Sequence, residues 1–412
     1  MQRVSMREID RRSLVTRHTP RMRCASAADC AQDFQTLGNG EFAFTADVTG
    51  LQTFNACAPL TTMSNWGWHT TPVPKSLTPD AKPGEFKYQQ IPTYGRSVPY
   101  PTGCVAGEAQ CGTSNADPEQ AATTGWLRAN PHRLVLGRLY FRSSAGDMSS
   151  ATSYNQSLDM WSGVLSSHFN LGGEAVSVTT VVHPTVDMVA VKVESALILS
   201  GALRRGLDFP YGDEGLFSHG AVWGRDADHT TSRIDHAVKP RSVAATLNRS
   251  LDSDSYEVYV NVSVPQHGAA APTLTRRGPH AFSLAAAGSP SLTASLGYFA
   301  PTTPRSAEAS GARRRRPTGH PSFEETLAAS ASAWERFWQS GAAVDLQGSA
   351  DARAANLENK IVMSQWVSRT QEAGTRMRLA TSSLSLTLRC ACGQPCPAAL
   401  ECTYTTLCHD VQ

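Results

Sequence analysis

No run of apolar residues in this sequence approaches the ~18 that a membrane-spanning helix needs, so no membrane partner is expected. Excess charge of one sign is also lacking. Lys and Arg number 37 against 35 Asp and Glu, a formal net charge of +2. That balance removes the electrostatic argument for nucleic acid, whose readers carry clustered basic surface and a high pI. Cysteine is absent from residues 112–389. The ten cysteines instead crowd at two ends, Cys24, Cys30, Cys57, Cys104 and Cys111 against Cys390, Cys392, Cys396, Cys402 and Cys408. The second group reads C-x-C-x3-C-x5-C-x5-C, which matches no paired C-x2-C zinc framework. No Ser-His-Asp set, H-E-x-x-H helix, P-loop or dinucleotide fingerprint is present, and no cofactor or metal is expected.

Residues 1–23 hold seven arginines and His18 but no apolar h-region, so they do not read as a secretory signal. They read as a disordered extension, with an organelle transit peptide as the alternative. Sequons at Asn155, Asn248 and Asn261 matter only in the secretory route, and a cytoplasmic location is expected. What is present is a 41% hydrophobic chain of 412 residues, enough for a buried core and two or three domains, or one large β domain with additions.

Most of the chain reads as β. Glu41 to Val48 alternates with Phe42, Phe44, Ala46 and Val48 on one face. Glu174 to His183 places Val176, Val178, Thr180 and Val182 together, and Met188 to Glu194 adds Val189, Val191 and Val193. The short link His183 to Asp187 makes these two a hairpin. Tyr256 to Val264 gives the longest alternation. A period of two with one polar face is the pattern of an antiparallel sheet buried on one side. Many such strands predict a large β-sandwich. Thr70 to Ala122 has no sustained period and reads as a surface excursion. Pro301 to Pro321, with four arginines at Arg313 to Arg316, reads as a solvated linker.

Past the linker the period becomes helical. Ser322 and Glu325 form an S-x-x-E capping box. Phe323, Leu327, Ala331, Trp334 and Trp338 follow at helical spacing, and Gly341 ends the helix. A second helix is expected from about Asp351 to Glu372. Ala354, Leu357 and Ile361 form its narrow stripe, with Val362, Met363 and Trp366 around other sides. Phe323, Leu327, Trp334 and Trp338 are expected to dock the helices on the sandwich. Beyond Met377 the chain is Ser/Thr/Leu/Cys-rich and aperiodic.

Seven phrases occur in order: LGNGEFAFTADVTGLQTF (Leu37 to Phe54), PLTTMSNWGWH (Pro59 to His69), WLRANPHRLVLGRLYF (Trp126 to Phe141), QSLDMWSGVLSSHF (Gln156 to Phe169), VTTVVHPTVDMVAVKVES (Val178 to Ser195), FWQSGAAVDLQGS (Phe337 to Ser349) and LENKIVMSQWVSRTQEAG (Leu357 to Gly374). The set resembles the six-hairpin glycosidases related to glycoside hydrolase family 65, across roughly Thr16 to Met377. The first, third and last phrases are the most specific. The resemblance implies a mainly β fold: a large antiparallel β-supersandwich of galactose-mutarotase type, then linker helices, then an (α/α)6 barrel that cleaves or phosphorolyses glycosidic bonds. The expected organisation is an extended segment over 1–33, the sandwich over 34–300, a linker over 301–321, helices over 322–378 and a disordered, unrelated tail over 379–412. That tail stands where the family pattern continues into its barrel, as after a shifted reading frame or a retained intron. No family general acid maps to any residue here.

Glycoside hydrolysis uses two carboxyl groups, one protonated and one ionised. Glu41, Asp47, Asp159, Asp187, Asp208, Asp226 and Asp228 are available, and each reads as structural. No catalytic residue is assigned. For sugar binding the candidates are Trp66, Trp68, His69, Trp126 and Arg128, because indole faces stack on sugar C–H faces while Arg and His hydrogen-bond hydroxyls. Packing of Trp66 and Trp68 at a domain junction is the alternative reading. The expected partner is carbohydrate. The chain reads as a glycosidase-type protein without turnover of its own, or as a noncatalytic carbohydrate-binding sandwich or nonfunctional remnant.

Overall fold

The computed structural model describes residues 9–54, 60–73, 88–101, 125–127, 129–212, 220–236, 239–265, 270–300 and 320–374. The Arg313 to Arg316 run, the Cys-rich tail, Arg128, Cys57, Cys104 and Cys111 lie outside them.

The architecture is mainly β, and every named strand pair is antiparallel. Nine strands make the largest sheet, in the order Arg21–Ser26, Thr152–Asp159, Val164–Leu171, Glu174–Val182, Met188–Glu194, Ser291–Phe299, Asp254–Ser263, Ser242–Leu251 and His229–Asp235. A second sheet orders Thr273–Arg276, Ala281–Ala285, Leu203–Asp208 and Arg138–Ser143. A third joins Gln35–Gly38, Phe42–Ala46 and Thr62–Ser64. Their apolar faces meet in one core, as sandwich packing requires. Tyr256, Val258, Val260 and Val262 of one strand are buried there with Val176, Val178, Val189 and Val191. Polar ties cross the same layer: Gln156 Nε2 donates to Asp47 O at 2.8 Å, and Thr180 Oγ1 to Gly50 O at 2.8 Å.

The helical elements include α1 (Arg11–Thr16), α2 (Ala196–Leu199), α3 (Phe323–Gln339) and α4 (Ala354–Gln371). The capping box at Ser322 and Glu325 is formed, and Gly341 takes a φ of 71° just past the end of α3. That left-handed position is cheap only for glycine. Phe323 packs on Val181 and Ala190, with Leu327 beside them, while Trp334 and Trp338 enter the main core. The Trp338 indole donates to Met160 O at 2.6 Å and the Ser330 hydroxyl to Ser162 O at 3.0 Å. The Trp334 ring stacks 4.1 Å from Trp366 of α4. Among the described residues no helix is long and apolar enough to cross a membrane.

Four expectations are corrected. Residues 9–33 are ordered, since α1 packs on α3, the strand Arg21–Ser26 joins the large sheet and Cys24 bridges Cys30. This edge strand alternates exposed Arg21, Arg23 and Ala25 with inward Met22, Cys24 and Ser26, and only Cys24 is buried, so its apolar signal is short. Phe42–Ala46 is buried on both faces rather than one. Within Thr70 to Ala122, the strands Tyr88–Thr93 and Arg96–Pro101 form a hairpin whose prolines obscure its period. In α4 the buried line is Glu358, Val362, Trp366 and Thr370, while Leu357 is exposed. A buried Glu358 is tolerated because Arg17 Nε stands 2.8 Å and His18 Nε2 2.6 Å from its carboxylate.

Candidate functional site

The strand Thr62–Ser64 runs along Phe42–Ala46, and the chain then turns at Trp66 and Gly67 so that Trp68–His69 can pair with His132–Arg133. The three candidate tryptophans lie along this path with every indole N–H engaged inside the protein. Trp66 Nε1 donates to Asp187 Oδ2 at 2.8 Å, Trp68 Nε1 to Asn65 O at 3.0 Å and Trp126 Nε1 to Thr71 O at 3.1 Å. Asn130 fastens Trp126 from the other side, donating to Trp126 O and accepting from Thr71 N. Trp66 tilts against Tyr256 at 6.2 Å, and the Arg133 guanidinium covers one face of Trp68 at 4.2 Å. All three residues are half-buried, and their indole N–H groups are already engaged within the protein.

His69 differs from its neighbours in being fully buried. Its Nδ1 is 2.9 Å from Asp254 Oδ2 and its Nε2 3.2 Å from Asp252 Oδ2. The imidazole is therefore clasped between two carboxylates of one hairpin turn, and Asp254 also accepts from Thr70 N at 3.2 Å. Asp252 sits at a φ of 49°, and its carboxylate accepts from the Tyr211 hydroxyl. Burial first, and then the Asp252 carboxylate, raises the Tyr211 phenol above its ordinary pKa. The Arg225 guanidinium lies over the Tyr211 ring at 4.1 Å and pairs with Asp228. Trp66, Trp68 and His69 thus follow one another along the chain, with Trp68–His69 paired to His132–Arg133 and Trp126 tied to Thr71. The sequence offered no signal for Asp252, Asp254, Tyr211 or Arg133, which reach the site only through long-range pairing.

Among the described residues, four of the candidate acids are engaged inside the fold. Asp47 is buried, and burial pushes its carboxyl up to about 6 against the pull of donors from Thr49, Phe54 and Thr53. Both of its oxygens are occupied by those donors. Asp187 is buried beneath Trp66 and Ser64. Asp208, raised by burial, accepts from the Tyr140 hydroxyl at 2.7 Å. Asp159 closes the turn before Gly163 by accepting from Trp161 N.

Asp226, His229 and His280 bring ligand atoms within 4.8 Å of one another, the spacing of a metal site. The surrounding chemistry opposes a cation. The buried Arg249 guanidinium donates to Nδ1 of His229 at 2.5 Å and of His280 at 3.0 Å. With Nδ1 accepting, each neutral ring carries its proton on Nε2, the atom a metal would need. His280 Nε2 accordingly sits 2.9 Å from the carbonyl of Asp226.

No protein-family model matches the chain, and no curated protein does. Among solved structures, one named as a kojibiose phosphorylase, from the human microbiome, aligns over 88% of this chain at 10% identity with a TM-score of 0.45. A family GH92 α-mannosidase from Bacteroides thetaiotaomicron aligns over 57% at 9% identity with a TM-score of 0.25. This chain spans 40% of the first and 32% of the second. At those values neither likeness carries an argument about activity.

Proposed function

We propose that this chain is the sandwich portion of a carbohydrate-active protein of the six-hairpin glycosidase type, and that it binds sugar without cleaving glycosidic bonds. One observation carries the family reading. Three of the phrases that resemble the family converge on a single joint. Gly40 N donates to Thr370 O at 2.8 Å, and Arg369 Nη1 donates to Asn39 O at 3.0 Å. The Asn39 amide also donates to His183 O and Val186 O, both at 3.1 Å. A Cβ on Gly38 would stand 2.3 Å from Thr370 O, so the glycine is what lets the end of α4 close on this turn. Scattered likenesses of sequence thereby become one packed unit.

The reading without turnover is supported by Asp47, Asp159, Asp187 and Asp208, whose carboxylates serve turns, an indole and a phenol. A positioned general acid or base contributes about 10²–10⁴-fold, and such a contribution needs an open approach to the scissile oxygen. Sugar contact falls to the half-buried rings of Trp66, Trp68 and Trp126, with Arg128 assigned by sequence. Calorimetric titration of the purified chain with α-linked disaccharides tests the reading, alongside turnover assays on aryl glycosides with and without phosphate. The expected result is weak binding, Kd about 1 mM or about 4 kcal/mol, and no turnover. Turnover abolished by replacing one carboxylate of the sandwich would overturn it.

A further inference from the structure

The sequons at Asn155, Asn248 and Asn261 all fall on strands of the nine-stranded sheet, in Thr152–Asp159, Ser242–Leu251 and Asp254–Ser263. In each, the middle residue faces the core: Gln156, Arg249 and Val262 are buried. The period of two therefore turns each Asn and its Ser together to the outer face. Their surroundings differ. Asn155 is exposed, whereas Asn248 and Asn261 are half-buried. Asn261 shares a cross-strand row with Ser295 and Ala190, and Phe323 of α3 packs on Ala190. Asn155 stands between exposed Arg23 and His168, and the His168 imidazole is turned away to the Ser177 hydroxyl at 2.9 Å. The Asn155 carboxamide has no hydrogen-bond partner among the described residues. A second observation lies one register position away. Cys24, which pairs with Tyr154, is bridged to Cys30 in the turn after the edge strand. Disulfides persist in oxidising compartments and are rare in the cytosol.

We propose that Asn155 is an N-glycosylation site and that the chain travels the secretory route, where the sequence alone suggested the cytoplasm. An unengaged acceptor amide and a disulfide beside it call for the same compartment, in which Asn-x-Ser is a glycan acceptor. The donor is a lipid-linked oligosaccharide diphosphate. Asn155 Nδ2 attacks C1 of the first sugar and forms the N–C bond. The C1–O bond to the diphosphate breaks, the lipid diphosphate leaves with that electron pair, and the amide gives up one proton. The Ser157 hydroxyl, two residues on and on the same face, completes the acceptor motif. The product is a bulky polar group on the outer face, next to the edge strand Arg21–Ser26, and it needs no rearrangement of the sheet. This inference is independent of the carbohydrate-binding reading above.

The experiment takes the full chain from the cells that produce it, before and after peptide N-glycosidase F, and locates any Asn converted to Asp by peptide mass spectrometry. The expected result is a loss of mass on digestion, conversion at Asn155, and a Cys24–Cys30 linked peptide after alkylation without reduction. Asn155→Gln and Ser157→Ala should each migrate as the digested wild type does, while Asn261→Gln keeps the wild-type shift. Ser157→Ala leaves the Asn155 amide in place, so its loss of the shift assigns the modification to the sequon, and it serves where Asn155→Gln accumulates poorly. A mass unchanged by digestion would overturn the proposal, as would conversion confined to Asn248 or Asn261. Free thiols at Cys24 and Cys30 would overturn it as well.

Discussion

Gly163 and Trp334 occupy the same space but for one carbon atom. A Cβ on Gly163 would stand 2.2 Å from both Cδ1 and Nε1 of the Trp334 indole. The glycine also holds a φ of 71° in the turn between Thr152–Asp159 and Val164–Leu171. The helical layer is therefore seated on the sandwich by a missing side chain as much as by the aromatic groups that fill the gap.

Replacing Gly163 with Ala should destabilise the chain by about 2–5 kcal/mol, adding overpacking to left-handed strain. Urea denaturation followed by tryptophan fluorescence measures it, because Trp334 and its stacked partner Trp366 report the joint. An unchanged midpoint would mean that α3 is free to shift outward.

The Glu358 carboxylate is held down to about 2, chiefly by the Arg17 hydrogen bond, with burial opposing and His18 and Leu346 N assisting. A depressed acid contributes stability that is present above its ordinary value of 4.5 and lost as pH falls toward 2. Glu358→Gln should lower stability at pH 7 by about 2 kcal/mol and weaken the pH dependence in that acid window. Denaturation midpoints between pH 7 and pH 3 for wild type and variant supply the comparison.

His229 acts in a higher window. Burial first, then the Arg249 charge, lowers its pKa to about 3 from 6.5. The folded ring stays neutral where the unfolded ring takes up a proton, so stability declines as pH drops from 6.5 toward 3. His229→Gln, whose carbonyl can still accept from Arg249, should flatten the loss of melting temperature between pH 6.5 and 5. A slope identical to wild type there would refute the assignment. Zinc should raise neither melting curve.

Asp187→Ala should strand the Trp66 N–H and the Ser64 hydroxyl and cost about 2–4 kcal/mol. Asp187→Asn should recover part of that loss, since its carbonyl oxygen can still accept. Near-ultraviolet circular dichroism should show Trp66 loosened in the Ala variant and held in the Asn variant.

The strands that face one core were legible because burial on one side writes a period of two, as in Tyr256 to Val264. The S-x-x-E box before α3 was legible because capping is a local event. Arg21–Ser26 was not, since an edge strand needs few apolar residues and its partner Thr152–Asp159 is distant in the chain. The buried face of α4 is hard to read because two of its members, Glu358 and Thr370, are polar: Glu358 is satisfied by the distant Arg17 and His18, and the Thr370 hydroxyl by carbonyls of its own helix. At the candidate site the aromatics were visible in Trp66 to His69. The carboxylates that clasp His69 were not, because sheet pairing alone brings Asp252 and Asp254 to it.

The Arg11 guanidinium donates to the carbonyls of Trp338, Ser340 and Gly341 at the end of α3, and Arg17 reaches Glu358 across 341 residues of chain. On a ribosome adding about 5–20 residues per second, α1 waits of the order of twenty seconds to a minute for that partner. Helix α1, made early, is thus among the last elements to be secured. During that interval Arg11 and Arg17 stand without the α3 carbonyls and the Glu358 carboxylate that engage them. Closure of the N-terminal segment is the event that marks the molecule as completely synthesised through α4.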